Sequence, residues 1–363
     1  MNLELTSQEK KLLNLIQWEF PLCERPFAEL GAKVGISEAQ AIAITQKLKE
    51  ERIVRQISAI FDTRSLGYRS MLVAMNVEPE RDGEAAAIIN EHPGVSHNYR
   101  RNHELNIWFT VAVAPNSRIG LEKTVEILHT LARARSTRML PTLKLYKIGV
   151  KLDVEGKHAP DDTEAEGYNF RKIKQEALTQ DDVELVRALQ EDCPLVESPF
   201  EPAARRLGIG VPELVERARQ FTERGKMRRF AAVLNHRRAG FTANGMGVWQ
   251  VEGDDARIDE VGLTMGSFRA VSHCYRRPIY ADWPYSIFTM VHGRSTEECE
   301  QILKAIQEKT GVQEYRTLYS TREYKKIRLR YFTQDMEAWE SKAAGMATIP
   351  LDQSACKPCH GPS

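Results

Sequence analysis

A chain of 363 residues is long enough for two or more domains, each with its own core. Its 42% apolar and 28% charged residues are those of a soluble globular protein, and no run of 18 apolar residues offers a membrane helix. A net charge of +1 excludes a global attraction to nucleic acid.

The opening MNLELTSQEKK lacks the basic and apolar regions of a signal peptide, so a cytoplasmic setting is expected. There, six scattered cysteines (Cys23, Cys193, Cys274, Cys299, Cys356 and Cys359) do not read as a disulfide framework. Thr6–Glu9 fits a capping box ahead of Leu12, Leu13, Leu15 and Ile16 at helical spacing. The next stretch reads as helix, turn at Gly35, helix from Ser37, then an extended run with Ile53, Val54, Ile57 and Ile60, which is a helix-turn-helix with a short wing.

The pattern then changes. Ser70–Val77 reads as a buried strand, Glu84–Val95 as a helix ended by Pro93-Gly94, and Asn106–Val113 as another strand. Ser117–Thr137 reads as a second helix and Pro141–Leu152 as an extended end. With a strand around His97–Arg101, the order is β-α-β-β-α-β, a ferredoxin-like domain. After the polar, charge-rich segment Glu155–Asn169 the programme repeats. Leu5–Gly67 recurs from Leu178 to Gly240 at one constant offset, and GVSHNYRR (Gly94–Arg101) returns as AVSHCYRR (Ala270–Arg277). The expected class is α+β, as two tandem units, each a winged helix-turn-helix followed by a ferredoxin-like antiparallel sheet domain. The expected divisions are 1–66 and 67–153, a linker at 154–174, then 175–240 and 241–335, and a tail at 336–363.

This order of modules resembles the Lrp/AsnC family of transcriptional regulators, which implies DNA binding. The residues argue otherwise. Ser37–Arg55 sets Lys47, Lys49, Arg52 and Arg55 against Glu38, Glu50 and Glu51, and its reading face is mostly Ala and Ile. The second copy is richer in Arg, largely beyond the recognition position. A packing or dimerisation role is the expectation for both winged helices.

The chemistry-bearing residues recur in the sheet domains: His97, Tyr99, Arg100 and Arg101 return as His273, Tyr275, Arg276 and Arg277. Alternation on a strand puts His97, Tyr99 and Arg101 on one face and Arg100 on the other. The surroundings add His103, Trp108 and Phe109 in the first copy, and Tyr280, Trp283, Tyr285 and His292 in the second, with His236 where the first copy has Thr63. Aromatic rings beside cations suit a flat, multiply anionic ligand.

VSHNYRRNHELNIWFT in the first copy, with VSHCYRR, DWPYSIFTMVHG and LYSTREYKK in the second, resembles the two subunits of the siroheme decarboxylase family, here fused. The resemblance covers residues 3–332. It implies conversion of siroheme to 12,18-didecarboxysiroheme with loss of two acetate carboxyls as carbon dioxide, for haem d1 or alternative haem synthesis. On this reading Arg100, Arg101, Arg276 and Arg277 clamp carboxylates, with His103, Lys147, Trp283 and Lys325 as further substrate contacts. His97, Tyr99, His236, His273 and Tyr275 are the candidate proton donors, and a His can instead ligate the siroheme iron. The uneven histidines (His236, His273, His292) favour the second-copy site. No cofactor beyond the substrate's iron, no metal, no nucleic acid and no membrane is expected, and a homodimer of the fused chain is. A DNA-binding regulator and a tetrapyrrole sensor remain the alternatives. The tail motif Cys356-Lys-Pro-Cys359-His360 matches the pattern for covalent haem, but such attachment takes place outside the cytoplasm; metal binding by the thiols or no function is the expectation.

Overall fold

In the computed structural model the described residues are 5–18, 20–149, 159, 161–163, 176–234, 243–346, 348, 349 and 351. His236, the Cys356–His360 motif and most of the expected linker lie outside them. The first copy runs α1 (Ser7–Trp18), α2 (Pro26–Val34), α3 (Glu38–Glu50), β1 (Val54–Phe61), β2 (Arg69–Asn76), α4 (Asp82–Asn90), β3 (Val95–Arg101), β4 (Ile107–Val113), α5 (Leu121–Ala132), β5 (Ser136–Pro141) and β6 (Lys144–Ile148). The second runs α6 (Gln180–Leu189), α7 (Glu201–Leu207), α8 (Val211–Glu223), β7 (Met227–Leu234), β8 (Ala243–Trp249), α9 (Asp255–Ser267), β9 (Val271–Arg276), β10 (Ile287–Gly293), α10 (Thr296–Thr310) and β11 (Tyr315–Lys326), followed by α11 (Gln334–Ala343).

Two compact units form, and each combines like parts of both copies. One holds the winged helices. Their starts follow from sequence: Thr6 and Glu9 exchange hydrogen bonds, and Thr179 caps Asp182 in the same way. Gly35 (φ 80°) and Gly208 (φ 68°) end α2 and α7 in the left-handed conformation that glycine adopts without a Cβ penalty. The wings β1 and β7 pair antiparallel, Ile57 against Ala232 and Ala59 against Phe230, so the two copies share a ribbon. Phe230 meets Phe20 and Phe200 at 5.3 and 5.2 Å in the core below it.

The other unit holds the ferredoxin-like parts, with strand order β5-β2-β4-β3-β11-β8-β10-β9-β6 and antiparallel pairing throughout. β11 pairs with β8 through Tyr315–Tyr319, then with β3 through Ser320–Lys326. In mirror fashion β5 pairs with β2 of its own copy, and β6 crosses to β9 of the other. Each motif strand is therefore flanked by the last strand of the opposite copy. α4 and α5 cover the outer face of the first sheet, with Val73, Ile89, Phe109, Val125 and Leu128 in the core between them. α9 and α10 cover the second, over Trp249, Val261, Met265 and Ile302. A third core joins the inner faces of both copies through Trp108, Leu140, Met246, Val248, Trp283, Phe288 and Leu318.

The start of the expected tail is helical. α11 lies on the first copy's helix layer, where Trp339 packs against that core and Glu340 accepts from Arg118 N at 2.9 Å.

Candidate active site

β3 and β9 carry the repeated motif, and strand alternation sorts its side chains as expected. His97 and Tyr99 lie 6.2 Å apart, with Arg101 5.8 Å over the Tyr99 ring. His273 and Tyr275 are 6.1 Å apart and stacked, with Arg277 4.8 Å over the Tyr275 ring. Both sets stand on the inner faces, and all four rings are half-buried. Arg277 also sits 5.4 Å over Phe288, next to the central Trp108–Trp283 pair at 5.3 Å. A guanidinium over an aromatic face is attracted by about 0.5–2 kcal/mol, which fixes the cation without neutralising it.

The four motif arginines divide by face. Arg100 points to the helix side and pairs with Asp82 at the start of α4 (3.1 Å). Arg276, 7% exposed, pairs with Asp255 (2.5 Å) and Asp259 (3.7 Å) on α9. The carboxylate clamp expected of Arg100 and Arg276 is therefore not built: alternation sends them away from the His–Tyr face, and acidic residues on the covering helices already hold them. Arg101 and Arg277 stay on the inner face, both buried. Arg101 donates Nη1 to Leu318 O at 2.7 Å, and Arg277 donates to Leu140 O, the equivalent carbonyl. Burial lowers the Arg101 guanidinium to about 10, still cationic at neutral pH, and its buried Nε has no hydrogen-bond partner.

Lys147 and Lys325 are also corrected by the structure. Lys147 Nζ donates to Phe268 O (2.7 Å) at the end of α9, and Lys325 Nζ to Asn90 O (2.7 Å) and His92 O (3.5 Å) at the end of α4. Each lysine caps the helix C-terminus of the opposite copy, where carbonyls lack partners and the helix dipole favours a cation. Trp283 is a core residue, 0% exposed, rather than a substrate-facing ring. His103 stands edge-on to it at 5.2 Å and accepts from Leu105 N through Nδ1 (3.0 Å). Burial, then the Arg316 charge, lowers the His103 pKa.

The serines before the histidines were missed, although the recurring Ser-His dipeptide was their signal. Ser96 Oγ lies 3.0 Å from His97 Nδ1 and 2.9 Å from Thr110 Oγ1. Ser272 Oγ lies 2.9 Å from His273 Nδ1 and donates to Met290 O at 3.1 Å. A hydroxyl has one proton, so Ser272, donating to Met290, accepts from His273. A neutral His273 thus carries its proton on Nδ1 and presents the Nε2 lone pair.

Several cations of the winged helices are held by carboxylates of their own unit. Lys47 pairs with Glu9 (2.7 Å), Lys49 with Asp192 (2.5 Å), Arg217 with Glu213 (2.8 Å) and Arg224 with Asp182 (3.0 Å). Among the described residues, no group of three or more His, Cys, Asp or Glu suits a metal ion, and no helix is long and apolar enough to cross a membrane.

Comparison with known proteins matches both layers of this architecture. The AsnC-like ligand binding domain matches residues 65–147 and 238–325, and the siroheme decarboxylase NirDL-like HTH domain matches 9–55 and 182–228. A siroheme decarboxylase of Hydrogenobacter thermophilus (strain DSM 6534 / IAM 12695 / TK-6) is 40% identical over 91% of this chain and 96% of its own. The siroheme decarboxylase beta subunit of Methanosarcina barkeri (strain Fusaro / DSM 804) is 44% identical over 42% of this chain and 99% of its own. The crystal structure of the siroheme decarboxylase NirDL in complex with an iron-uroporphyrin III analogue is 34% identical, covers 93% of this chain and 98% of its own, and superposes with a TM-score of 0.72. Two winged helices, two AsnC-like domains and a full-length relative at this identity place the chain in the siroheme decarboxylase family.

Proposed function

We infer that this chain decarboxylates siroheme, removing two acetate carboxyls as carbon dioxide to give 12,18-didecarboxysiroheme, in a cytoplasmic route to haem d1 or haem. The observation that carries the reading is the pair of half-buried His–Tyr sets, each with a buried guanidinium over the tyrosine, on inner sheet faces built from both copies.

Each loss breaks one C–C bond. Carbon dioxide leaves, the electron pair passes through the conjugated ring system, and the methylene carbon ends with a new C–H bond. The residues have two tasks: to hold the carboxylates, and to deliver that proton. Arg101 and Arg277 supply fixed positive charge on the inner face, where low dielectric strengthens its pull on a carboxylate. His97 with Tyr99, and His273 with Tyr275, are the proton-bearing groups that face the same space. The Nε2 lone pair of His273 can take up a proton and pass it on, or hold the substrate's iron. Reaction needs no cofactor beyond that iron, since the substrate supplies the conjugated system.

Anaerobic incubation of the chain with siroheme, followed by mass spectrometry of the extracted tetrapyrrole, tests the reading. The expected product has lost two carbon dioxide units. Recovery of unchanged siroheme bound to the chain would instead support a sensor.

A further inference from the structure

The repeat gives both copies the same His–Tyr–Arg set, but the strand exchange gives the two sets different neighbours. Direct cross-strand partners project from the same face of a sheet. On β3, His97 is opposite Lys326 and Tyr99 is opposite Glu323, both on β11 of the second copy. On β9, His273 is opposite Ile148 and Tyr275 is opposite Leu145, both on β6 of the first copy. On the other flank His97 faces Thr110, while His273 faces Met290. With Trp108 beside Tyr99 and Phe288 beside Tyr275, three of the four neighbours of the first set are polar, and all four neighbours of the second are apolar. Facing the helices, Lys325 and Lys147 both cap a helix and Arg100 and Arg276 both pair with aspartates, while Asn98 on β3 is answered by Cys274 on β9. On the face a substrate would touch, three of the four paired positions change from polar to apolar.

We propose that the two sites are specialised by carboxylate load: the His97 site takes the macrocycle bearing both reacting acetates, and the His273 site takes the macrocycle in which one acetate has already become a methyl group. This rests on the decarboxylase reading above. A carboxylate set against Ile148, Leu145 and Met290 loses water and gains no polar partner from those three side chains, whereas a methyl group gains by leaving water there. Lys326 beside His97 offers a carboxylate an ammonium, and Thr110 a hydroxyl. Exposed Glu323 keeps that flank near neutral, so it is a hydrated, hydrogen-bonding surface rather than a sink for any anion. At both sites the balance is the same: one C–C bond breaks, carbon dioxide leaves, and one proton forms the C–H bond of the methyl product, with no oxidant or reductant.

The test uses the full chain and two probes, iron uroporphyrin and iron coproporphyrin, in which methyl groups replace all the acetates. Soret titration of the wild type should resolve two binding events with opposite preferences. Lys326→Ile should weaken the uroporphyrin-preferring event roughly tenfold or more and leave coproporphyrin binding within about twofold, the size expected for one charged hydrogen bond. In turnover it should slow siroheme loss without build-up of the singly decarboxylated species. Ile148→Lys should do the reverse, with the singly decarboxylated species accumulating. Met290→Thr is the second variant for that site and leaves β6 untouched. A wild type that binds both porphyrins in one indistinguishable set of sites overturns the proposal. So does accumulation of the intermediate in Lys326→Ile, or a product ratio unchanged in all three variants. If the wild type binds with two preferences but leaves siroheme intact, the decarboxylase reading fails and the difference between the sites stands.

Discussion

Replacing Lys325 with Met keeps the length of the side chain and removes its charge, which separates helix capping from substrate binding. In the wild type Nζ lies 2.7 Å from Asn90 O and 3.5 Å from His92 O, at the end of α4. A hydrogen bond from a charged donor contributes about 1.5–3 kcal/mol, and the cation at a helix C-terminus adds about 0.3–1 kcal/mol. Against this, burial lowers the Lys325 pKa, so part of the ammonium's hydration is not recovered and its removal refunds that part. The net loss is about 1–2 kcal/mol. For a unit of this size, at roughly 2–4 °C per kcal/mol, Tm should fall by about 2–8 °C. Lys147→Met, capping α9 through Phe268 O, should behave alike. Calorimetry would measure the first quantity, and Soret titration with iron uroporphyrin should find affinity within about twofold of wild type. An unchanged Tm with binding weakened tenfold would refute the capping argument and return both lysines to the substrate.

Three further outcomes are expected. Arg276→Met should cost about 1–2 kcal/mol, because Asp255 is 57% exposed and Asp259 keeps Lys144 and the Tyr146 hydroxyl, so neither carboxylate is left buried and alone. Its iron uroporphyrin affinity should hold, while Arg101→Met loses affinity about tenfold or more, and urea titration with Soret binding separates the two. Ser272→Ala frees the His273 ring from its fixed tautomer, so turnover should drop about tenfold with binding kept, and stopped-assay mass spectrometry would show it. Burial lowers the His92 pKa to about 3. The unfolded chain then takes up a proton that the folded chain refuses, and stability declines as pH falls from about 6.5 towards 3. The loss between pH 7.5 and 5 is about 2 kcal/mol, and His92→Gln should remove it from the urea midpoints.

Much of the fold was legible because it is local. The capping boxes at Thr6 and Thr179, the glycine stops at Gly35 and Gly208, and the strands at β2 and β4 all follow from residues close in sequence. The opposite faces of Arg100 and Arg101 follow from strand period alone. α11 was not expected, because Gln334–Ala343 has only a weak apolar stripe and is held by Trp339 and Glu340 on a distant helix layer. The roles of Lys147, Lys325 and Trp283 were misjudged because their partners are far away in the chain: Phe268, Asn90 and Trp108.

The duplication itself was fixed by sequence, as was the His–Tyr–Arg set on one face of each repeated strand. Propensity, alternation and a recurring motif are properties of short stretches, and they carry through to the folded chain. Which strand lies beside each motif was decided only by tertiary structure. Two ferredoxin-like sheets bury their inner faces against each other when β6 and β11 cross over, and that exchange pairs His97 with Lys326 and His273 with Ile148. No spacing rule links positions so far apart, so the difference between two sites with one motif emerges only once the copies are packed together.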